Sequence, residues 1–244
     1  DFRKTIRFVM ISQAMIFSAG LGQRMLPLTE NTPKPLIKIN NKSLLKNNIE
    51  KLIHSRFSNI VVNAYHHSEK IINETKMFES VKVIVEAERL ETGGGLLNAI
   101  NEKYFRENSP IVLLNGDIFW YDKNYKSIDK IISLWNPHRM DMLLCLKRKE
   151  DFFGYNGNGD FDLQSDKLSS SILEIKNNPS YAYTGLQIIK QDIIKDIKKN
   201  CFSLKEQILK SLEKKKLFGY IDENQWFHIG TVEDLKKFKE NYCE

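Results

Sequence analysis

A chain of 244 residues with 41% hydrophobic and 28% charged residues is ordinary globular usage, long enough for one full α/β domain or two small ones. No apolar stretch approaches the roughly 20 residues that span a bilayer, so membrane insertion is not expected. The net charge of +6 reads as a lysine-rich solvated surface that suits polyanionic substrates. Its densest run, Lys214-Lys215-Lys216, has no interleaved aromatic residues and argues against nucleic-acid binding.

Residues 1–13 carry basic residues and then Phe8-Val9-Met10-Ile11, too short for a signal-peptide core, and are set aside as a leader. The 3 cysteines, Cys145, Cys201 and Cys243, lie far apart without metal-ligand spacing, which fits a reducing, cytoplasmic setting. Short β-rich apolar runs at 14–18, 60–64, 81–85, 111–114 and 142–146 predict strands. Helical spacing of Leu45, Ile49, Leu52 and Ile53 behind an N-cap at Ser43 predicts a helix, with further helices at 98–105 and 127–135. Strands this apolar, separated by helices, imply a sheet covered on both faces: a doubly wound α/β fold whose ligands sit at the carboxyl ends of the strands. Gly154-Tyr155-Asn156-Gly157-Asn158-Gly159-Asp160 is a dense turn signal. Strands at 172–175 and 183–189, a helix at 203–214, strands at 217–221 and 226–229 and a closing helix from about 232 follow it. The expected organisation is a single domain over 14–244, in two parts, 14–150 and 151–244.

Strand 14–18 runs into Ala19-Gly20-Leu21-Gly22-Gln23-Arg24-Met25-Leu26-Pro27-Leu28-Thr29, and Lys34-Pro35-Leu36 comes shortly after. Glycines directly behind a strand let the backbone approach a ligand and turn successive N–H groups toward an anion. Arg24 can lay a planar, bidentate donor on phosphate oxygens, and Lys34 stands between Pro33 and Pro35 on stiff chain. The loop therefore reads as a phosphate cradle. It is not a P-loop, because Gln23-Arg24 stand where Lys-Ser/Thr would be. It is not a dinucleotide fingerprint either, because the third glycine or alanine is replaced by Met25, which disfavours a nicotinamide-dependent dehydrogenase.

Taken together, Ala19-Gly20-x-Gly22-x-Arg24-Met25-x-Pro27-Leu28-Thr29 and Lys34-Pro35-Leu36 resemble the signature of the sugar-1-phosphate nucleotidyltransferases, and the likeness extends from 14 to about 241. The resemblance implies a Rossmann-like, mixed but mostly parallel sheet of the nucleotide-diphospho-sugar transferase type. Residues 14–150 would bind nucleotide and 151–244 would form a C-terminal sugar-binding lobe. The partners it implies are a nucleoside triphosphate and a sugar 1-phosphate, with Arg24 on the β- and γ-phosphates and Lys34 holding the reacting phosphate. Oligomeric state, monomer or homo-oligomer, stays open.

The apolar run 111–114 ends in Asn115-Gly116-Asp117, good turn chemistry that also sets a carboxylate at a strand's carboxyl edge. Mg²⁺ commonly uses one or two carboxylates plus substrate phosphates. Beside the glycine loop the tripeptide resembles the family's metal-binding Gly-Asp, so Asp117 is expected to hold Mg²⁺. No general base is needed, because a sugar-phosphate oxygen is already anionic at pH 7; catalysis is then positioning and charge neutralisation by Arg24, Lys34 and Asp117. His54, His66 and His67 read as surface or capping residues. The likeness breaks at Trp226-Phe227-His228-Ile229-Gly230-Thr231, where the family's second metal ligand, an aspartate, is replaced by His228. Imidazole suits Mg²⁺ poorly. Asp117 and the phosphates suffice, Asp222 helps, or His228 meets a phosphate: these stay open.

Leu90-Glu91-Thr92-Gly93-Gly94-Gly95 is expected to lead into the helix at 98 and to lie against a base or ribose. The run is similar to that of N-acetylmuramate-1-phosphate uridylyltransferases and mannose-1-phosphate guanylyltransferase-like proteins, which favours UTP, with GTP and mannose 1-phosphate as the alternative. The nucleotide set so implied is Ala19, Gly20, Leu21, Gly22, Gln23, Arg24, Glu86, Thr92, Gly93, Gly94 and Asn115. Tyr183-Thr184-Gly185 and Glu174 resemble sugar contacts, giving Glu174, Thr184 and Gly185 as the sugar set. His228 motivates the competing reading, a non-catalytic sugar-nucleotide-binding regulatory subunit.

Overall fold

The computed structural model describes residues 11–165 and 167–242. Most of the stretch set aside as a leader, and Cys243, lie outside them. The chain opens with β1 (Gln13–Phe17), a hairpin of β2 (Lys38–Ile39) and β3 (Lys42–Ser43), and α1 (Leu44–His54). Next come β4 (Asn59–Ala64), α2 (Ser68–Thr75), β5 (Val81–Val85), α3 (Glu91–Asn101) and β6 (Ile111–Asn115). The strand β7 (Ile118–Tyr121), α4 (Ser127–Leu134) and β8 (Met142–Arg148) follow. Beyond them lie β9 (Asp162–Leu163), β10 (Ser171–Glu174), β11 (Tyr181–Ile189), α5 (Lys205–Glu213), β12 (Leu217–Ile221), β13 (Gln225–His228) and α6 (Val232–Tyr242).

A 9-stranded sheet runs in the order β5-β4-β1-β6-β11-β8-β12-β10-β9. Pairing is parallel from β5 to β6 and between β8 and β12, while β11 runs antiparallel between β6 and β8. A strand from beyond residue 150 thus sits at the centre, and one sheet spans both parts of the chain.

Side chains alternate along each strand, and the alternation sorts them into two cores. Ala14, Ile16, Ile60 and Val62 pack with Leu45 and Ile49 of α1 and Ile131 of α4. Met15, Val61 and Leu113 point the other way, toward Leu96 of α3 and Ile208 of α5. Covering on both faces explains why the strands read as continuous apolar runs. Each such side chain, fully buried, stabilises by about 1.5–3 kcal/mol. A third cluster matters most for the site. Met25, Ile39, Leu44, Phe119, Phe227 and Phe238 anchor the loop after β1 to the antiparallel β7–β13 ribbon and α6. The ribbon is closed by Trp120 stacked on Trp226, ring centroids 4.6 Å apart.

Ser43 caps α1 as its sequence suggests, its hydroxyl accepting from the Lys46 N–H at 3.0 Å. Two boundaries differ from expectation. Ile11 is buried and β1 begins at Gln13, one residue before the expected strand. The helix α3 begins at Glu91 rather than 98, with the glycine run inside its first turns. The N–H groups of Gly93 and Gly94 donate to the Phe202 carbonyl at 2.9 and 3.1 Å. A Cβ at Gly93 would stand 2.3 Å from the Phe202 ring, and one at Gly94 2.0 Å from the Asn200 carbonyl oxygen. Close packing against 200–202 therefore outweighs the roughly 1 kcal/mol that each helical glycine costs. The hairpin β2–β3, α2 and β7 have no counterpart in the sequence reading. Among the described residues no helix is long and apolar enough to cross a membrane.

Candidate active site

Where β1 ends, the backbone is braced from below. The Ser18 N–H donates to Asn63 Oδ1 at 2.8 Å, and Asn63 Nδ2 donates to Glu86 Oε1 at 2.7 Å. Glu86 is buried, and that burial raises its pKa although the hydrogen bonds from Asn63 and Leu90 oppose the shift. Glu86 belongs to this brace and does not line the cavity formed by the glycine loop.

The loop then turns at Gly22, whose φ of +65° favours glycine. The Gly22 carbonyl accepts from the Thr29 hydroxyl and the Met25 N–H, both at 2.8 Å. A Cβ at Gly20 would meet nothing within 4 Å, so that side of the loop is open. From the neighbouring strand, the Gly116 N–H donates to the Phe17 carbonyl at 2.8 Å. A Cβ at Gly116 would lie 2.6 Å from that oxygen, so only glycine lets the turn after β6 fold onto the end of β1. That contact delivers Asp117 to the loop.

Lys34 is buried and donates from Nζ to Asp117 Oδ2 at 2.6 Å, while the Asp117 side chain keeps 35% exposure. Burial works to raise the Asp117 pKa, but the charge and hydrogen bond of Lys34, with help from His228, hold it below the ordinary value. The β7–β13 register sets His228 opposite Ile118, next to Asp117 in the chain. Burial lowers the His228 pKa from 6.5, with Lys34 and Arg24 adding to the shift and Asp117 opposing it. At pH 7 the imidazole is neutral.

One cavity of 560 Å³ gathers the loop residues Gly20, Leu21, Gly22, Gln23 and Arg24 with Lys34, Thr92, Asn115 and Asp117. Two further liners, Phe17 and Arg89, carry no motif signal; Phe17 is recognisable only as the last residue of the first strand. An adjoining 260 Å³ compartment is lined by Ala19, Asn63, Arg89 and Ser203 among others. Three cations, Arg24, Lys34 and Arg89, thus face a cavity whose carboxylate is already paired, an arrangement suited to a polyanion.

Other expected site residues lie elsewhere. Thr184 is buried and gives its hydroxyl to the Cys145 carbonyl at 2.9 Å, so it faces into the sheet. Gly185, at φ +95°, makes room for Asn115 and Ile118, and its neighbour Tyr183 is the one that reaches a cavity. Glu174 pairs with Lys176 at 3.0 Å. Asp222 is fully buried and accepts from the Asn224 N–H at 2.8 Å and the Tyr220 hydroxyl at 3.2 Å. It is committed to the interior and does not line the loop cavity. Among the described residues no group of three or more His, Cys, Asp or Glu could hold a metal by itself.

Residues 13–244 match the family described as nucleotidyl transferase. The chain is 28% identical over 227 residues to an N-acetylmuramate alpha-1-phosphate uridylyltransferase of Caulobacter vibrioides, covering 89% of this chain and 91% of that protein. It is 27% identical over 231 residues to a D-glycero-alpha-D-manno-heptose 1-phosphate guanylyltransferase of Campylobacter jejuni, covering 93% of this chain and 98% of that one. Its fold is similar to that of a UDP-glucose pyrophosphorylase solved with UDP-glucose, with a TM-score of 0.75 at 15% identity over 95% of this chain and 98% of that chain.

Proposed function

The chain belongs to the nucleotidyl transferase family, and we propose that it joins UTP to a sugar 1-phosphate, releasing pyrophosphate. The observation that carries this reading is the Lys34–Asp117 pair at the rim of a cavity whose other wall is the glycine loop with Arg24. In this reading a phosphate oxygen of the sugar 1-phosphate attacks the α-phosphorus of the nucleotide. The bond to the β-phosphate breaks, and its electron pair leaves with pyrophosphate. The attacking oxygen is already anionic, so no side chain has to remove a proton.

Each residue then has a defined task. Open backbone around Gly20 receives the triphosphate, and Arg24 neutralises its outer phosphates. Lys34 is already extended into the cavity by Asp117 and offers its ammonium to the phosphate that changes bonds. Asp117, ionised and part-exposed, is the carboxylate that would hold Mg²⁺. One carboxylate with substrate phosphates fits that ion's habits, and the ion when bound would supply charge neutralisation on the phosphates. His228, neutral and nitrogen-donating, does not complete a second oxygen ligand. The chemistry of the substrates and the free cysteines, Cys145 and Cys201 among the described residues, suit a cytoplasmic setting.

UTP is favoured by the likeness to the uridylyltransferase, and GTP is the second reading, supported by the guanylyltransferase at nearly equal identity. Pyrophosphate release measured across four nucleoside triphosphates and a set of sugar 1-phosphates tests the proposal. Release with UTP and one sugar 1-phosphate is expected. Nucleotide binding with no release from any pair would instead make the chain a sugar-nucleotide-binding regulatory subunit.

A further inference from the structure

The turn after β6 brings one carboxylate, Asp117, to the phosphate cavity, where Lys34 holds its Oδ2 at 2.6 Å. Two other carboxylates of this region are committed. Asp222 is turned into the interior, and Asp234 Oδ2 accepts from the Gly230 N–H, the Thr231 N–H and the Thr231 hydroxyl at 3.2, 2.9 and 2.8 Å. The group that stands beside Asp117 instead is His228, set there by the pairing of β13 with β7. Its position is fixed from several sides. Phe152 and Tyr155 meet the ring edge to face, with centroids 6.1 and 6.5 Å away, and the His228 N–H donates to the Phe153 carbonyl at 2.8 Å. A Cβ at Gly230 would lie 2.9 Å from His228 Nε2, and Gly230 lines the phosphate cavity. Nε2 therefore lies beside the cavity wall, against a residue with no side chain to cover it. Neither ring nitrogen forms a hydrogen bond among the described residues.

Mg²⁺ is held by oxygen, whereas first-row transition ions also accept imidazole nitrogen, with affinity rising from Mn²⁺ to Co²⁺. One carboxylate with substrate phosphates serves either kind of ion, and an added imidazole serves only the second. Among the described residues no third such donor joins the pair, so the ion needs the phosphates of a bound nucleotide to complete its shell. We propose that Asp117 and His228 form a mixed oxygen–nitrogen site that, with a nucleoside triphosphate bound, takes a divalent first-row transition ion such as Co²⁺ or Mn²⁺ in preference to Mg²⁺. An aspartate at position 228 would give an all-oxygen site without that preference, so His228 is the residue that sets the choice of metal. This rests on the proposal that the cavity takes a nucleoside triphosphate.

The test uses the full chain saturated with whichever of ATP, CTP, GTP and UTP it binds most tightly. Calorimetry gives the affinities of Co²⁺ and Mg²⁺ for the wild type, His228→Asp and His228→Ala. The ratio of Co²⁺ to Mg²⁺ affinity in the wild type is expected to exceed that of either variant by about 10–100-fold, the scale on which even a metal's outer partners act. Comparing ratios removes the preference that the nucleotide phosphates have of their own. Pulsed EPR of bound Mn²⁺ reads the ligand directly. The wild type should show coupling to a nitrogen that shifts when its histidine is isotopically labelled, and this measurement decides the matter whether or not a variant folds. Absence of that histidine coupling, or affinity ratios within twofold of one another, would overturn the inference. A histidine-coupled metal without pyrophosphate release from any substrate pair would defeat the proposed reaction and leave the metal site standing. Release with Mg²⁺ and no histidine coupling would do the reverse, and failure to bind any of the triphosphates would defeat both.

Discussion

At the loop end of the cavity, Lys34 pairs with Asp117, the Gly22 carbonyl with Thr29 and Met25, and the Ser18 N–H with Asn63, while the buried Ser18 hydroxyl has no partner. In the adjoining 460 Å³ cavity, lined by Tyr183 and Gln187 of β11, Tyr183 Oη and Gln187 Oε1 are buried without a hydrogen-bond partner. Under the proposed function, the difference would follow from what each end has to bind. Phosphates are alike in every nucleotide, so cations can be assembled in advance against a fixed carboxylate without loss of generality. A sugar is recognised by its substituents, and groups kept unpaired until the right one arrives penalise the wrong one.

The sharpest way to break that comparison is to remove a charge from the paired end. Lys34→Met should lower kcat for pyrophosphate release by about 10²–10³-fold, the scale for losing a group aimed at transition-state charge. A kcat within twofold of wild type would reduce the pair to a structural contact. Arg89→Ala is milder, because its guanidinium is exposed at the cavity wall. It should weaken nucleotide binding about tenfold, in line with losing one or two charge-assisted hydrogen bonds, and the loss should shrink at high salt. An unchanged Kd at low salt would remove Arg89 from the cationic set.

The brace beneath the loop should give the smallest effect. The folded Glu86 carboxyl has a pKa above its ordinary 4.5, so the folded chain holds that proton more tightly than the unfolded chain does. Its contribution is therefore most favourable below 4.5 and declines as pH rises through the raised value. Glu86→Gln lacks this dependence. Its Tm should exceed that of wild type at pH 8, by roughly 2–4 °C for each 1 kcal/mol in a chain of this size, and not at pH 4. A variant less stable at pH 8 than at pH 4, relative to wild type, would reverse the sign.

The paired end was legible in sequence because it is local. A strand, two glycines, Arg24 and Lys34 lie within two dozen positions, and Asp117 sits in the turn after β6, whose apolar run is unmistakable. Continuous apolar runs, the mark of strands covered on both faces, likewise made β1, β4 and β6 readable. The adjoining 460 Å³ cavity was not legible. Its walls come from the turn near Gly159, from β11 and from α5, which only the folded sheet brings together. The register of β11 against β8 also shifts between Tyr183 and Gln187, so alternation along the strand does not tell which side chain faces the cavity. That is why Thr184 was expected at the sugar and is found bonded to Cys145, while Gln187 went unnoticed. The glycines of α3 misled for a related reason. Their propensity argues against a helix start, and the contact with Phe202 that reverses it is more than a hundred residues away in sequence.

The central claim is that one cavity transfers a nucleotidyl group with Asp117 as its working carboxylate. Pyrophosphate release at saturating substrates, compared between wild type and Asp117→Asn of matched Tm, tests it most directly. The variant is expected to bind nucleotide, keep its fold and lose about 10²–10³-fold in rate. An Asn variant that turns over at the wild-type rate would contradict it.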